Sequence, residues 1–154
     1  MSPKFSIDNL PAAIKPPVSL SAYLEVSAKG VQIYACGKNE KGDSAWLHKG
    51  PDAELFDAAG KPFGRHYGGP TWEGPDGGKV IGALKASAPA PGAGDIPWLL
   101  LDIKAREGGG IFTQAKAILR VNTKGGVAPS ASLADAAEGS IVRVAYETLY
   151  LFLK

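Results

Sequence analysis

Cysteine is nearly absent from this sequence, since Cys36 is the only one in 154 residues. A single cysteine excludes an intrachain disulfide and any zinc site built on two or more thiolates. Histidine is almost as scarce, because His48 and His66 are the only two, and this excludes a site with three histidines. The sequence therefore predicts neither a bound metal nor a cofactor.

Long apolar runs and clusters of basic residues are also missing. No run approaches the roughly 20 residues that a membrane span requires, so no span is predicted. The net charge is only +2, and Lys and Arg alternate with Asp and Glu, which argues against nucleic acid as a partner. Residues 1–17 lack the apolar stretch of a signal peptide. A cytosolic protein and an exported one whose leader has been removed both fit these absences.

Glycine and proline are plentiful, with 20 Gly and 12 Pro, and they fall between short apolar runs. In many of these runs apolar and polar residues alternate with a period of two, which is typical of half-buried β-strands. Lys29 and Gly30 are predicted to turn the chain between the first two strands and so form a hairpin. Strands are predicted at residues 20–27, 31–36, 45–48, 53–56, 79–87, 96–104, 111–122 and 141–153.

Roughly seven to nine antiparallel strands and no long amphipathic helix predict an all-β fold, either a β-barrel or a β-sandwich with long Gly/Pro loops. The chain length fits one domain, which we assign to residues 18–154. Residues 1–17 contain four prolines and are predicted to form an extended N-terminal arm, with at most a helical turn at residues 10–14. Residues 123–139 are predicted to form a long loop, with a helical turn around residues 133–137.

One segment concentrates the groups that could do chemistry, Arg65-His66-Tyr67-Gly68-Gly69-Pro70-Thr71-Trp72-Glu73. In an enzymatic interpretation, His66 acts as an acid or base near neutral pH and Glu73 orients its ring. In a structural interpretation, His66 caps a turn and Glu73 pairs with a surface cation. We favour the structural interpretation, because histidines in small β-domains are more often structural than catalytic.

The two histidines also raise the question of a metal site. His48 and His66 would supply two imidazole ligands, with Glu73 or Asp57 to complete the set. Their spacing in the sequence matches no metal-binding motif. We therefore expect no metal at these residues.

Aromatic side chains are a second kind of candidate. Trp72, Trp98, Tyr67 and Tyr34 combine an aromatic ring with a polar atom, which suits sugars, phenolics and other small cyclic ligands. In the alternative interpretation, Trp98 belongs to the core and Trp72 closes one end of a barrel. The sequence supports both interpretations equally.

Arg120 and Asn122 lie on the strand face opposite to Leu119 and Val121. If that face points inward, Arg120 is a buried cation that requires a partner. An ion pair with Glu73 or Asp102 is the favoured prediction. An anionic ligand held by Arg120 is the alternative.

Several motifs together resemble domain-of-unknown-function family 3455, found in bacteria and fungi. The resemblance extends from Leu10 to Phe152 and implies a small protein of a mostly exported and uncharacterised family. The motifs are Gly30-Val31-Gln32-Ile33-Tyr34, residues 51–57 (Pro-Asp-Ala-Glu-Leu-Phe-Asp), residues 66–73, Ala88-Pro89-Ala90-Pro91, Ile96-Pro97-Trp98-Leu99-Leu100-Leu101, and residues 120–129 (Arg-Val-Asn-Thr-Lys-Gly-Gly-Val-Ala-Pro).

The chain departs from the family pattern in two places. Typical members have a second cysteine after the Gly-Gly-x-Ala-Pro motif that would suit a bridge to Cys36, whereas residues 130–135 here contain none. The signal peptide usual in the family is also missing, and both losses fit either a reducing compartment or a truncated chain. Some fungal members carry a malate dehydrogenase label, which we do not transfer because no Gly-x-Gly-x-x-Gly turn joins a strand to a helix here.

These patterns predict a non-enzymatic β-domain that binds a small molecule or a partner at a corner formed by residues 66–73. The alternatives are an enzyme that uses His66 and Glu73, and a structural or envelope-associated protein. The oligomeric state stays open. The predicted binding residues are His66, Tyr67, Trp72, Glu73, Trp98, Arg120 and Asn122.

Overall fold

Eight antiparallel strands close into a barrel in the computed structural model, which describes residues 3–129 and 137–154. Each strand pairs with the next along the chain, and the last pairs with the first. The all-β prediction is confirmed, and the barrel is the correct one of the two predicted architectures. The strands are β1 (Ala22–Lys38), β2 (Ser44–Phe56), β3 (Pro62–Tyr67), β4 (Thr71–Glu73), β5 (Lys79–Ala88), β6 (Trp98–Glu107), β7 (Ala117–Gly125) and β8 (Ile141–Leu153).

The helical content consists of short 3-10 turns at Ile7–Asn9, Ala12–Ile14 and Phe112–Gln114 in the described residues. No helix within residues 3–129 and 137–154 has the length and apolarity to cross a membrane. The turn at Ala12–Ile14 agrees with the helical turn predicted for the arm.

The hairpin predicted at Lys29 and Gly30 is wrong, because β1 runs through both residues without a turn. Gly30 pairs with Ala53 on β2 and with Tyr146 on β8. A Cβ atom at position 30 would collide with the backbone of β2, so glycine is required here for close strand approach. The period-two alternation therefore continues through Gly30.

Two other strand boundaries also differ from the prediction. The separate strands predicted at residues 45–48 and 53–56 are one continuous strand, β2. The strand predicted at residues 111–122 begins only at Ala117 and runs on to Gly125, into the predicted loop. Phe112 explains the late start, because its ring is fully buried and stacks on Phe152 at a centroid distance of 4.5 Å. The helical turn predicted around residues 133–137 falls on positions outside the described residues.

The barrel interior is filled by aromatic and aliphatic side chains from alternate strand positions. Trp72 makes edge contacts with Tyr150 and Phe152 at centroid distances of 5.3 and 6.5 Å. The alternation in residues 141–153 predicts that Val142, Val144, Tyr146, Tyr150 and Phe152 share one face of the last strand, and Tyr146, Tyr150 and Phe152 do belong to this interior cluster. Such ring contacts add about 0.5–1.5 kcal/mol each beyond the area that they bury.

The N-terminal arm packs on the outside of the barrel. Leu10 and Ile14 are buried in a second apolar cluster on the outer faces of β5 to β8, and Phe5 packs edge-on against Trp98 at 6.2 Å. The backbone N–H groups of Lys4 and Phe5 both donate to Glu25 Oε1, at 3.2 and 2.8 Å. The arm thus covers an apolar surface of the barrel wall that would otherwise face water. The strand residues of this outer apolar face are Ala88, Leu100, Ala117, Leu119, Val121, Leu151 and Leu153.

Candidate functional site

A cavity of about 200 Å³ opens from one end of the barrel into its interior. Leu84 is 63% exposed at its entrance, whereas His66 and Trp72 are buried. Each of the eight strands contributes at least one residue to the wall. The lining of this barrel-mouth cavity is apolar at Pro51, Pro70, Trp72, Leu84, Leu99 and Leu101, and polar at Gln32, His48, His66, Arg120 and Tyr150.

A larger hollow of about 550 Å³ lies on the surface along the arm. Its lining, between Ile7 and Ala22, contains no aromatic ring and two charged side chains of opposite sign, Asp8 and Lys15. The barrel-mouth cavity is the better candidate, because it combines an apolar wall with a few converging polar groups.

His66 and Trp72 are cross-strand partners on β3 and β4, and both point into the barrel. Their rings stack at a centroid distance of 4.3 Å, and Tyr150 meets the imidazole edge-on at 4.9 Å. His66 Nδ1–H donates to the carbonyl oxygen of Thr71 at 2.8 Å. Burial lowers the pKa of His66 to about 3, and this hydrogen bond only partly opposes the shift. The ring is therefore neutral at physiological pH.

His48 stands at the entrance and interacts with Gln32. His48 Nε2 donates to Gln32 Oε1 across 2.5 Å. Desolvation lowers the pKa of His48, and the positive charge of Arg120 acts in the same direction. Both imidazoles near the cavity therefore favour the neutral form.

Two buried donors that belong to the cavity wall have no acceptor within the described part of the protein. They are the side-chain amide nitrogen of Gln32, a residue only 2% exposed, and the indole nitrogen of Trp72. A buried donor without a partner costs about 1–3 kcal/mol. An acceptor within hydrogen-bonding distance of either nitrogen would remove that cost.

Arg120 points into the cavity, as the alternation along β7 requires, but the ion pair predicted for it is wrong. Its Nε and Nη2 atoms donate to the carbonyl oxygen of Pro97 at 3.0 and 2.8 Å. Glu73 pairs with Lys79 at 3.7 Å, and Asp102 pairs with Lys85 at 3.7 Å. Over residues 3–129 and 137–154, no carboxylate lies within 4.0 Å of the guanidinium. The reason is geometric, because the two acidic residues point away from the cavity.

Three of the seven predicted binding residues, His66, Trp72 and Arg120, meet at the barrel-mouth cavity. Tyr67 and Glu73 lie on the opposite face of the sheet, where the Tyr67 hydroxyl donates to Glu73 Oε1 at 2.8 Å. The structure therefore does not bring His66 and Glu73 together.

Trp98 and Asn122 also lie away from the cavity. Trp98 packs under the arm against Phe5. Asn122 is exposed and has a positive φ of 51° at a register shift in β7. Tyr34, considered earlier with the aromatic residues, donates its hydroxyl to Gly126 O at 2.5 Å and does not line the cavity.

Sequence reasoning missed several lining residues, above all Gln32 and Tyr150. Tyr150 was on the correctly predicted face of β8, so its inward direction was available from the period of two. Gln32 was missed because the predicted hairpin at Lys29 and Gly30 divided β1 into two strands. The alternation that turns Gln32 inward runs through both halves. No group of three metal-binding side chains forms among the described residues, and Asp57 instead accepts hydrogen bonds from the turn residues Ala59 and Lys61.

The buried neutral His66 predicts a dependence of stability on pH. The unfolded chain binds a proton on His66 with a pKa of 6.5, whereas the folded chain does so only near 3. Unfolding is therefore favoured as the pH falls through this window, and the stability is fully present above pH 6.5. We expect the free energy of unfolding to be about 2 kcal/mol lower at pH 5 than at pH 7.5. Urea unfolding of wild type and His66→Gln at both pH values isolates this contribution, and equal pH dependence in the two proteins would contradict it.

The comparison with family models returned one match. The model described as "Protein of unknown function (DUF3455)" matches residues 16–154. No curated protein and no solved structure matches the chain. Because the matched residues include all eight strands and every residue of the barrel-mouth cavity, the chain belongs to the family of proteins of unknown function DUF3455.

Proposed function

We propose that this protein binds a small molecule in the barrel-mouth cavity and does not transform it. One observation carries the proposal: a cavity inside the barrel combines six apolar residues with buried donors that lack acceptors in the described chain. Small-ligand sites have this composition, a mostly apolar wall with few fixed polar groups.

The cavity volume limits the size of the ligand. Pockets for drug-sized ligands measure about 300–1,000 Å³, and a cavity of about 150 Å³ accommodates benzene. At about 200 Å³, the barrel-mouth cavity fits a molecule of roughly one ring with a short polar group.

The acid–base alternative has less support. A catalytic pair requires the two groups to reach the same substrate, whereas His66 faces the interior and Glu73 forms its hydrogen bond and ion pair on the outer face. The nearest polar partner of the second histidine, His48, is a neutral amide. Neither arrangement assembles a base with an orienting carboxylate.

Blocking the cavity tests the proposal. Leu84→Trp places a large side chain at the entrance, and its exposure makes the change tolerable for the fold. Ile141→Trp is the matched control, since Ile141 is an exposed strand residue, 56% accessible, that is not part of the cavity. Melting temperatures are measured by circular dichroism with phenol, benzyl alcohol, cyclohexanol, indole, benzoate and cyclohexanecarboxylate.

At a tenfold excess over Kd, a binding compound should raise the melting temperature of a chain this size by about 3–5 °C. We expect such a shift in wild type and in Ile141→Trp, and its loss in Leu84→Trp. Shifts that persist in Leu84→Trp, or no shift with any of the compounds, would show that the cavity is not a binding site.

A further inference from the structure

We propose that the ligand carries a single carboxylate on its apolar body and that Arg120 holds this carboxylate. This inference rests on the proposed function, because it assigns the chemical class of the molecule bound in the same cavity. Over residues 3–129 and 137–154, no carboxylate forms an ion pair with the guanidinium of Arg120.

One edge of the Arg120 guanidinium, formed by Nε and Nη2, already donates hydrogen bonds to the protein. Its Nε and Nη2 atoms share the carbonyl oxygen of Pro97, and an arginine has five N–H donors in a planar fork. The Tyr150 side chain is also within hydrogen-bonding reach of the guanidinium, so three N–H groups remain to be shared between that hydroxyl and a ligand. The Nη1–Nη2 edge presents two parallel donors, which match the two oxygens of a carboxylate.

The charges around the cavity favour one negative group. Arg120 is the lining residue with a permanent charge, and no carboxylate from the described residues lines the cavity. Burial keeps His66 neutral and raises the pKa of Tyr150, so that its hydroxyl also stays uncharged. A half-buried cation against an apolar wall is costly without a counter-ion. A monoanion balances it, whereas a dianion would leave one charge uncompensated.

The hydrogen-bonding groups of the wall are mostly donors. The Gln32 amide nitrogen and the Trp72 indole nitrogen have no acceptor in the described structure. Two acceptors nearby are occupied, since Gln32 Oε1 accepts from His48 and the Pro97 carbonyl accepts from Arg120, whereas each neutral imidazole keeps one unprotonated ring nitrogen as an acceptor. An ionised carboxylate only accepts hydrogen bonds, so it suits the donors of Arg120, Gln32 and Trp72.

The test compares ligands of one shape that differ in charge. Isothermal titration measures the binding of cyclohexanecarboxylate, cyclohexanecarboxamide, benzoate and phenylphosphonate to wild type, Arg120→Gln and Arg65→Gln at pH 7.5. Arg65→Gln is the matched control, because it removes the same charge from the outer face of β3, where Arg65 pairs with Asp52 at 2.7 Å. Urea unfolding of each variant verifies that it is folded.

Wild type and Arg65→Gln should bind the carboxylates at least about tenfold more tightly than the carboxamide, since hydrogen bonds to charged groups are stronger than neutral ones. Arg120→Gln should lose this preference. If wild type binds the carboxamide as tightly as the carboxylates, or more tightly, the inference is wrong but the proposed function still holds. This comparison uses wild type alone and requires no variant. Tighter binding of phenylphosphonate than of benzoate would replace the carboxylate by a phosphate-like group. Failure of every compound, charged or neutral, would instead overturn the proposed function.

Discussion

Replacing Trp72 with alanine is expected to lower the free energy of unfolding by about 3–5 kcal/mol. Trp72 is 1% exposed and contacts the rings of His66, Tyr150 and Phe152. Removing the indole ring loses the free energy gained by transferring this large side chain from water to the interior. It also leaves a cavity that the surrounding strands fill only in part. Urea denaturation of wild type and variant at pH 7.5 measures the difference.

The same variant has a second measurable property. Truncation at Trp72 joins its vacated volume to the barrel-mouth cavity, whose wall it forms, so added indole should restore part of the lost stability. Trp72→Phe is the control, because it keeps a ring at this position and should lose clearly less. A loss below about 1 kcal/mol in Trp72→Ala would contradict the central role of this side chain.

The second large effect is expected at Ile14. Ile14→Ala should lower the free energy of unfolding by about 2–5 kcal/mol, because the side chain is 0% exposed within the outer apolar face. This position lies just before residues 16–154, which the family model matches. We therefore expect the segment around Ile14, which lies outside the family match, to stabilise the barrel.

Val18→Ala is the matched control for Ile14→Ala. Both native residues are β-branched and lie before β1, but the side chain of Val18 is fully exposed. Its truncation should change the stability by less than about 0.5 kcal/mol. Equal effects of the two substitutions in thermal and urea unfolding would mean that the arm adds no packing energy.

Much of the fold was predictable because apolar and polar residues alternate with a period of two wherever a strand has one solvent-exposed face and one buried face. The last strand, β8, was predicted with its correct bounds because its first eight residues alternate in exposure, although its last four residues are buried on both faces. The same reasoning failed at Gly30. Glycine occurs both in turns and where two strands approach closely, and the sequence around Gly30 does not distinguish these two cases. The strand predicted from residue 111 was also wrong at Phe112. This residue fits the alternating pattern, but it lies in a 3-10 turn from which its ring packs into the core.

The candidate site was only partly predictable for a related reason. Residues 65–73 are dense in functional groups, but neighbours along a strand point to opposite faces. His66 and Trp72 therefore went to the interior, and Tyr67 and Glu73 went to the outer surface. The alternation along β7 placed Arg120 opposite Leu119 but did not decide which of the two faces points inward, and no local pattern indicated the register shift beside Asn122.

The pairing of β1 with β8 also has a consequence for synthesis on the ribosome. Ala22 pairs with Leu153, and the ladder continues to Ala35 and Ile141. Until the last strand has left the exit tunnel, one edge of β1 has no partner, and contacts so distant in sequence form slowly. Open strand edges pair readily with other chains. The nascent chain is therefore most vulnerable to misassembly just before β8 emerges, and the pairing of β8 with β1 removes this free edge.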